Sequence, residues 1–89
     1  MVNHLTICIP KVDNDIRKDF IFDVFNQYHF GKLKYVKIKK KNNISTAFVH
    51  YTYFNKDEKS QYVKKLLEDE KDIKIMYDMP WYWKCYISK

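Results

Sequence analysis

The sequence predicts an α+β fold in which a four-stranded antiparallel sheet carries two helices on one face. Three observations lead to this prediction: four segments with alternating apolar and polar residues, two segments with apolar residues every three or four positions, and the order of these segments. The chain has 89 residues, the length of one domain, and 46% of them are hydrophobic. We therefore expect residues 1–89 to form a single domain around one core.

The N-terminal part of the chain predicts a strand followed by a helix. Residues 5–9 alternate and are rich in β-branched side chains, so they indicate a strand that Pro10 ends. Apolar residues at spacings of four then predict an amphipathic helix over residues 14–29. Gly31, the only glycine, is expected to stop this helix in a left-handed conformation. The candidate caps at the start of the helix are Asp13, Asn14 and Asp15.

The remaining elements complete the order βαββαβ, which is that of the split βαβ, or ferredoxin-like, unit. The predicted elements are strands at residues 34–39, 45–54 and 81–87, and a helix at residues 56–70. Asn55 and Glu58 resemble a capping box for the second helix. Residues 73–77 are expected to form only a short extended segment before the last strand.

Charge and cysteine content limit the class of function. The net charge of +6 favours a nucleic acid or an anionic surface as partner. Drift toward lysine in an AT-rich genome is an equally good explanation, because Arg17 is the only arginine. Two cysteines, no secretory signal pattern and no run of roughly 20 apolar residues predict an intracellular protein that is neither secreted nor membrane-bound.

Strand alternation separates the two faces of the predicted sheet. One face is expected to pack on the helices, and the other to stay open with aromatic rings among lysines. The open-face residues are Phe48, Tyr35, Tyr86, His50, Lys37, Lys39 and Lys84, with Lys40 and Lys41 in the adjoining turn. Such a surface can stack bases at about 1–3 kcal/mol each while lysines hold phosphates. A protein-binding face and an ordinary half-polar surface are the alternatives.

The run Pro80-Trp81-Tyr82-Trp83 has two interpretations. In the first, the tryptophans close one end of a small core, which we favour for Trp83. In the second, exposed rings anchor a partner, which makes Trp81 and Tyr82 possible interaction residues. Alternation also turns Cys8 outward and Cys85 inward, so that they neither cross-link nor share a metal. No metal site and no cofactor are expected, since the histidines fall on different elements.

The run Ala47-Phe48-Val49-His50-Tyr51 resembles the back half of the octamer that marks the third strand of an RNA-recognition motif (RRM). The chain as a whole resembles small single-RRM proteins of nucleocytoplasmic large DNA viruses. The resemblance also rests on Pro80-Trp81-Tyr82-Trp83 and on segments 7–10, 16–25 and 31–36. The resemblance implies an RRM-like fold, an RNA role, and a location in the host cytoplasm (the viral factory) or the virion. Of the three stacking positions it implies, only Phe48 is aromatic, and Thr6 and Thr46 occupy the others.

The leading hypothesis is a non-catalytic module that binds RNA or another single-stranded nucleic acid through the open face. The alternative is a viral protein–protein interaction module, or a minor virion component, with a degenerate RRM-like fold that does not bind RNA. A monomer and a homodimer through the sheet face both remain open. An enzyme is not expected, because the sequence shows no carboxylate pair, nucleophile–base pair or glycine-rich phosphate loop.

Overall fold

The computed structural model describes residues 5–88 and contains two helices and one antiparallel sheet. The elements are β1 (Leu5–Asp13), α1 (Lys18–Tyr28), β2 (Gly31–Lys40), β3 (Ile44–Phe54), α2 (Glu58–Glu68), β4 (Ile73–Asp78) and β5 (Trp81–Ile87). The sheet has five strands in the order β2-β3-β1-β5-β4. The α+β class is therefore confirmed, whereas the prediction of four strands is wrong.

The additional strand, β4, comes from the segment that was predicted to be merely extended. It forms a hairpin with β5, in which Ile73 pairs with Cys85 and Ile75 with Trp83. All four of these side chains are buried. The alternation of buried isoleucines with exposed Lys74 is the usual pattern of a half-buried strand, so the order along the chain is βαββαββ.

Strand β1 continues beyond Pro10, contrary to the expectation that this proline ends it. The pairing of β1 with β3 is interrupted between Ile9 and Val12, and it resumes where Val12 pairs with Ser45. A bulge is one of the few places in a sheet where a residue without an N–H group is tolerated. The hydroxyl of Thr46 donates to the carbonyl of Pro10 at 3.2 Å, which ties the bulge to β3.

Helix α1 begins later than predicted and lacks a side-chain cap. Its N-cap is Arg17, whose side chain makes no capping hydrogen bond. The candidate cap Asn14 has another role, because its Oδ1 accepts a 2.6 Å hydrogen bond from the hydroxyl of Ser45. Its Nδ2 also donates to the carbonyl of Asn42 at 3.3 Å. Asn14 therefore joins the end of β1 to the turn between β2 and β3.

Helix α2 is capped by Asp57, and not by the predicted pair of Asn55 and Glu58. Asp57 accepts hydrogen bonds from the Ser60 amide at 3.2 Å and the Ser60 hydroxyl at 2.8 Å, which lower the pKa of its carboxyl. Asn55 instead donates to the carbonyl of His29 at 3.0 Å. It thereby connects the end of α1 with the start of α2.

The end of α1 departs from the prediction for Gly31. His29 takes the left-handed conformation there, with φ of 56°, and Gly31 is already the first residue of β2. A Cβ atom on Gly31 would overlap the carbonyl oxygen of Tyr53 and lie 2.7 Å from Cα of Phe54. A glycine is therefore required by the close approach of two strands, not by a turn.

Trp83 is central to the core between the sheet and the helices. Its ring stacks at 4.2 Å on Tyr77 of β4 and at 6.4 Å on Phe25 of α1. Phe20 adds an edge contact at 6.2 Å, and Trp83 is only 5% exposed. The predicted structural role of Trp83 is confirmed. The free thiol of Cys85 is likewise buried, and Cys8 lies on the opposite face, as expected.

The outer strand β4 is partly protected against pairing with another chain. The hydroxyl of Tyr28 accepts the Met76 N–H at 2.9 Å and donates to the Met76 carbonyl at 3.1 Å. Unpaired backbone groups on an edge strand are a template for aggregation. A side chain from α1 thus occupies one position that a foreign strand could use.

Gly31→Ala is expected to lower the free energy of unfolding by about 2–3 kcal/mol, the range for overpacking at a site that cannot relax. Urea unfolding measures this change. Lys32→Ala, at the exposed neighbouring position of β2, is the matched control and should differ little from the wild type. Equal unfolding midpoints for Gly31→Ala and wild type would contradict the close approach of β2 to β3.

Tyr51→Phe is expected to raise the free energy of unfolding by about 1 kcal/mol. The Tyr51 side chain is 2% exposed, and its hydroxyl has no hydrogen-bond partner among the described residues. A buried hydroxyl without a partner destabilises a fold by about 1–3 kcal/mol. Thermal and urea unfolding test this expectation, with Tyr53→Phe as the exposed control on the same strand. A destabilised Tyr51→Phe protein would show that the hydroxyl is satisfied in solution.

Candidate nucleic-acid interface

Four side chains form a line across the open face of the sheet. Phe48 of β3 pairs with Lys37 of β2 on one side and with Cys8 of β1 on the other, and Cys8 pairs with Tyr86 of β5. We call these four residues the central row. Neighbouring strands lie about 4.8 Å apart, so the row spans about 14 Å.

The central row presents rings that are only partly exposed. Tyr86 is 38% exposed, whereas Phe48 and Cys8 are half-buried. Burial raises the pKa of the Cys8 thiol, which favours its neutral form. The row therefore consists of a lysine at one end and two rings separated by an uncharged thiol. A ligand that extends along the row would meet both rings and no negative charge within the row.

A second group of side chains lies beside the central row. His50 pairs with Tyr35 of β2 and with Thr6 of β1. The Tyr35 and His50 rings are 4.3 Å apart between centroids, at an angle of 35°. Thr6 Oγ1 and His50 Nδ1 are 2.9 Å apart. Thr6, which stands where the resemblance implies a ring, thus orients the imidazole on the next strand.

The environment of His50 favours its neutral form. Partial burial is the main factor that lowers its pKa, and the positive charges of Lys34 and Lys37 lower it further. In a neutral imidazole one ring nitrogen donates and the other accepts. If Nδ1 accepts from the Thr6 hydroxyl, Nε2 carries the proton and can donate to a ligand on the open face.

Among the lysines predicted to contact phosphates, those on β2 lie on both faces of the strand. Lys37 and Lys39 pair with Phe48 and Thr46 and lie on the open face. Lys40 pairs with Ser45, whose side chain is buried, so the register places Lys40 on the helix-facing side. The amide of Lys41 closes the turn through a 3.1 Å bond to the carbonyl of Ile44.

The hairpin of β4 and β5 borders a cleft, which lies next to Tyr86 at one end of the central row. Its volume is about 660 Å³. We call it the aromatic cleft; its lining residues are Pro10, Lys11, Pro80, Trp81, Tyr82, Trp83, Lys84 and Tyr86. Trp81 is 65% exposed, so the structure separates it from the buried Trp83. Tyr86 belongs to both the central row and the cleft.

Two side chains of β4 extend the open face beyond the sequence prediction. Lys74 pairs with Lys84, and Met76 pairs with Tyr82. The Lys74 ammonium lies 5.4 Å from the centroid of the Tyr82 ring, a cation–π contact. The sequence feature that could have placed Lys74 and Met76 on the sheet is the alternation of residues 73–77. This alternation indicates a strand once its pairing partner is recognised. Pro10 and Lys11 were missed because β1 was expected to end there.

Comparison with known proteins finds no relative of this chain. No protein-family model matches it, and neither the curated proteins nor the solved structures give a significant match. Within residues 5–88, no helix has both the length and the apolar character to cross a membrane. The same residues contain no group of three or more His, Cys, Asp or Glu side chains suited to hold a metal ion. The function of the open face is therefore inferred from its own side chains.

Folding stability is expected to fall as the pH decreases below 6.5, the ordinary pKa of histidine, in a way that depends on His50. Because the folded-state pKa of His50 is lowered, the unfolded chain binds the proton first, and protonation favours unfolding until the folded pKa is reached. Urea unfolding measures the free energy of unfolding at pH 7.5 and pH 5.5. The decrease in this free energy between the two pH values should be smaller for His50→Gln than for wild type. Equal losses in the two proteins would contradict the lowered pKa.

Proposed function

We propose that this protein is a non-catalytic, RRM-like module that binds single-stranded RNA on the open face of its sheet. The observation that supports the proposal best is the central row, in which Phe48 lies between Lys37 and the half-exposed Cys8–Tyr86 pair. A base stacked on Phe48 would have a lysine within one strand spacing for its phosphate. The row thus combines rings that could stack bases with a cation that could contact the backbone, which are the two components of a single-strand platform.

The charged groups indicate what kind of recognition this surface can provide. Lysine meets a phosphate as a point charge, whereas bidentate reading of a base edge usually requires arginine. The cations on the open face are lysines, namely Lys37, Lys39, Lys74 and Lys84. We therefore expect binding with strong salt dependence and little preference for sequence. An N–H donor at His50 Nε2 could form a hydrogen bond with a base, and this contact would contribute what sequence preference there is.

The arrangement of the strands supports the RRM-like part of the proposal. Strands β1 and β3 pair at the centre of the sheet, and these are the strands that carry the stacking rings of an RRM. The resemblance alone supports a viral setting, in the host cytoplasm or the virion. Strand β4 has no place in the βαββαβ pattern, and it widens the open face on the side of Tyr86.

A second candidate function is protein binding, or self-association, through the same surface. The hairpin exposes large apolar side chains: Met79 is 79% exposed, Trp81 65% and Met76 44%. Exposed apolar side chains that cluster at one place often mark an interaction site. The surrounding lysines would favour an acidic partner. Light scattering distinguishes self-association, since a dimer through the sheet face would bury these side chains.

Phe48→Ala is expected to weaken binding of a short uridine oligomer at low ionic strength by about 5- to 150-fold, which corresponds to one stacked base. Fluorescence anisotropy of a labelled oligomer measures the affinity. Because Phe48 is half-buried, Phe48→Leu serves as a second variant that keeps apolar volume and removes only the aromatic face. Both variants should bind more weakly than wild type.

Two control variants, Tyr62→Ala and Lys71→Gln, change residues that lie outside the strands of the sheet. Tyr62→Ala removes an exposed ring from α2 and should leave the affinity unchanged. Lys37→Gln should reduce the slope of log affinity against log salt by about 0.7, the value for one phosphate contact to a single strand, whereas Lys71→Gln should not. Absence of RNA binding by wild type, or equal affinities for wild type and both Phe48 variants, would overturn the proposed function.

A further inference from the structure

The aromatic cleft adjoins the open face and is lined by a further exposed aromatic residue, Trp81. Trp81 lies in the first position of β5, where its backbone pairs with Asp78 across the hairpin. Its indole is 65% exposed and makes no ring contact with another described residue, whereas Trp83 packs against three rings. The core therefore accounts for Trp83 and leaves the exposure of Trp81 without a structural explanation.

The lining of the cleft favours an anionic ligand with a flat ring. Its only charged lining residues are Lys11 and Lys84, which are both positive, and the remaining lining residues are aromatic residues and prolines. Asp78 lies nearby in the hairpin but does not line the cleft. The volume of about 660 Å³ falls within the range of small-molecule sites, roughly 300–1,000 Å³. A nucleotide combines a flat base with a negative phosphate and matches both features.

The cleft is continuous with the central row. Tyr86 lines the cleft and also pairs with Cys8, which in turn pairs with Phe48. Phe48 and Tyr86 are two strand spacings apart, about 10 Å. A nucleic-acid strand lying across Phe48 and Tyr86 in the direction of β5 therefore leads into the cleft.

We propose that the aromatic cleft binds one further nucleotide of the same RNA strand, with its base stacked on Trp81 and its phosphate contacted by Lys11 and Lys84. This inference rests on the proposed function of the open face. It assigns the start of β5 a role in determining how many nucleotides the protein binds. Oligomers that reach from Phe48 to the cleft should bind more tightly than those that cover the central row alone.

The two tryptophans make the cleft directly observable. Trp81 and Trp83 are the only tryptophans, and only Trp81 is exposed. Saturation with an eight-nucleotide uridine oligomer should quench the tryptophan emission of wild type, because the base stacks on the Trp81 indole. Trp81→Phe, which keeps a ring but leaves only the buried Trp83, should lose this quenching and still bind the oligomer.

Affinity measurements with two oligomer lengths complete the test. Trp81→Ala should weaken binding of the eight-nucleotide oligomer by about 5- to 150-fold and leave binding of a trinucleotide nearly unchanged. Tyr62→Ala is the matched control, since Tyr62 on α2 has the same 65% exposure as Trp81. Lys84→Gln should reduce the salt slope of the long oligomer by about 0.7.

The possible failures separate the two proposals. If the long oligomer binds in a Phe48-dependent manner without quenching Trp81, the cleft is not used and this inference is wrong, while the proposed function stands. If a trinucleotide quenches Trp81 equally well in wild type and in Phe48→Ala, the cleft is an independent site and the continuous path is wrong. If neither oligomer binds, the proposed function and the inference that rests on it are both wrong.

Discussion

The packing of Trp83 between Phe25 and Tyr77 determines which way the C-terminal hairpin faces. Successive side chains of a strand point to opposite faces, so an inward Trp83 forces Tyr82 and Lys84 outward. A shift of one residue in β5 would bury a lysine and expose an indole, which is strongly unfavourable. The burial of one large ring thus determines the composition of a distant surface. Both the central row and the aromatic cleft depend on it through β5.

The positions of Thr6 and Thr46 show how the open face differs from an RRM platform. Each threonine stands where the resemblance implies a ring, and each makes a hydrogen bond that a ring could not make. Thr6 contacts the imidazole of His50, and Thr46 donates to the carbonyl of Pro10 in the bulge of β1. The polar side chains therefore hold neighbouring groups in place. The exposed rings lie instead toward the two sides of the sheet, at Tyr35 and Tyr86.

The sequence predicts this fold well where alternation and helical periodicity are strong, and poorly where a tertiary contact decides the outcome. The inward side chains of the predicted strands, Trp83 among them, follow directly from alternation. The role of Gly31 could not be predicted, because it depends on the approach of Tyr53 and Phe54 from another strand. Asn14 likewise looks like a helix cap in sequence, but Ser45 competes for its side chain. Strand β4 was predicted only as an extended segment, because six residues are too few for alternation alone to distinguish a paired strand.

The candidate site was less predictable than the fold, because affinity for a ligand depends on whether rings and lysines from different strands contact the same ligand. One stacked base supplies about 1–3 kcal/mol, whereas a dissociation constant of 1 μM requires about 8 kcal/mol. Phe48 and a few lysines would therefore hold a strand only weakly. A second base of the same nucleic-acid strand could stack at a second position. This raises the affinity for the oligomer without any new contact at Phe48, because the second binding event becomes intramolecular. In the proposed binding mode, β4 would contribute by pairing with β5, the strand that carries both Tyr86 and Trp81.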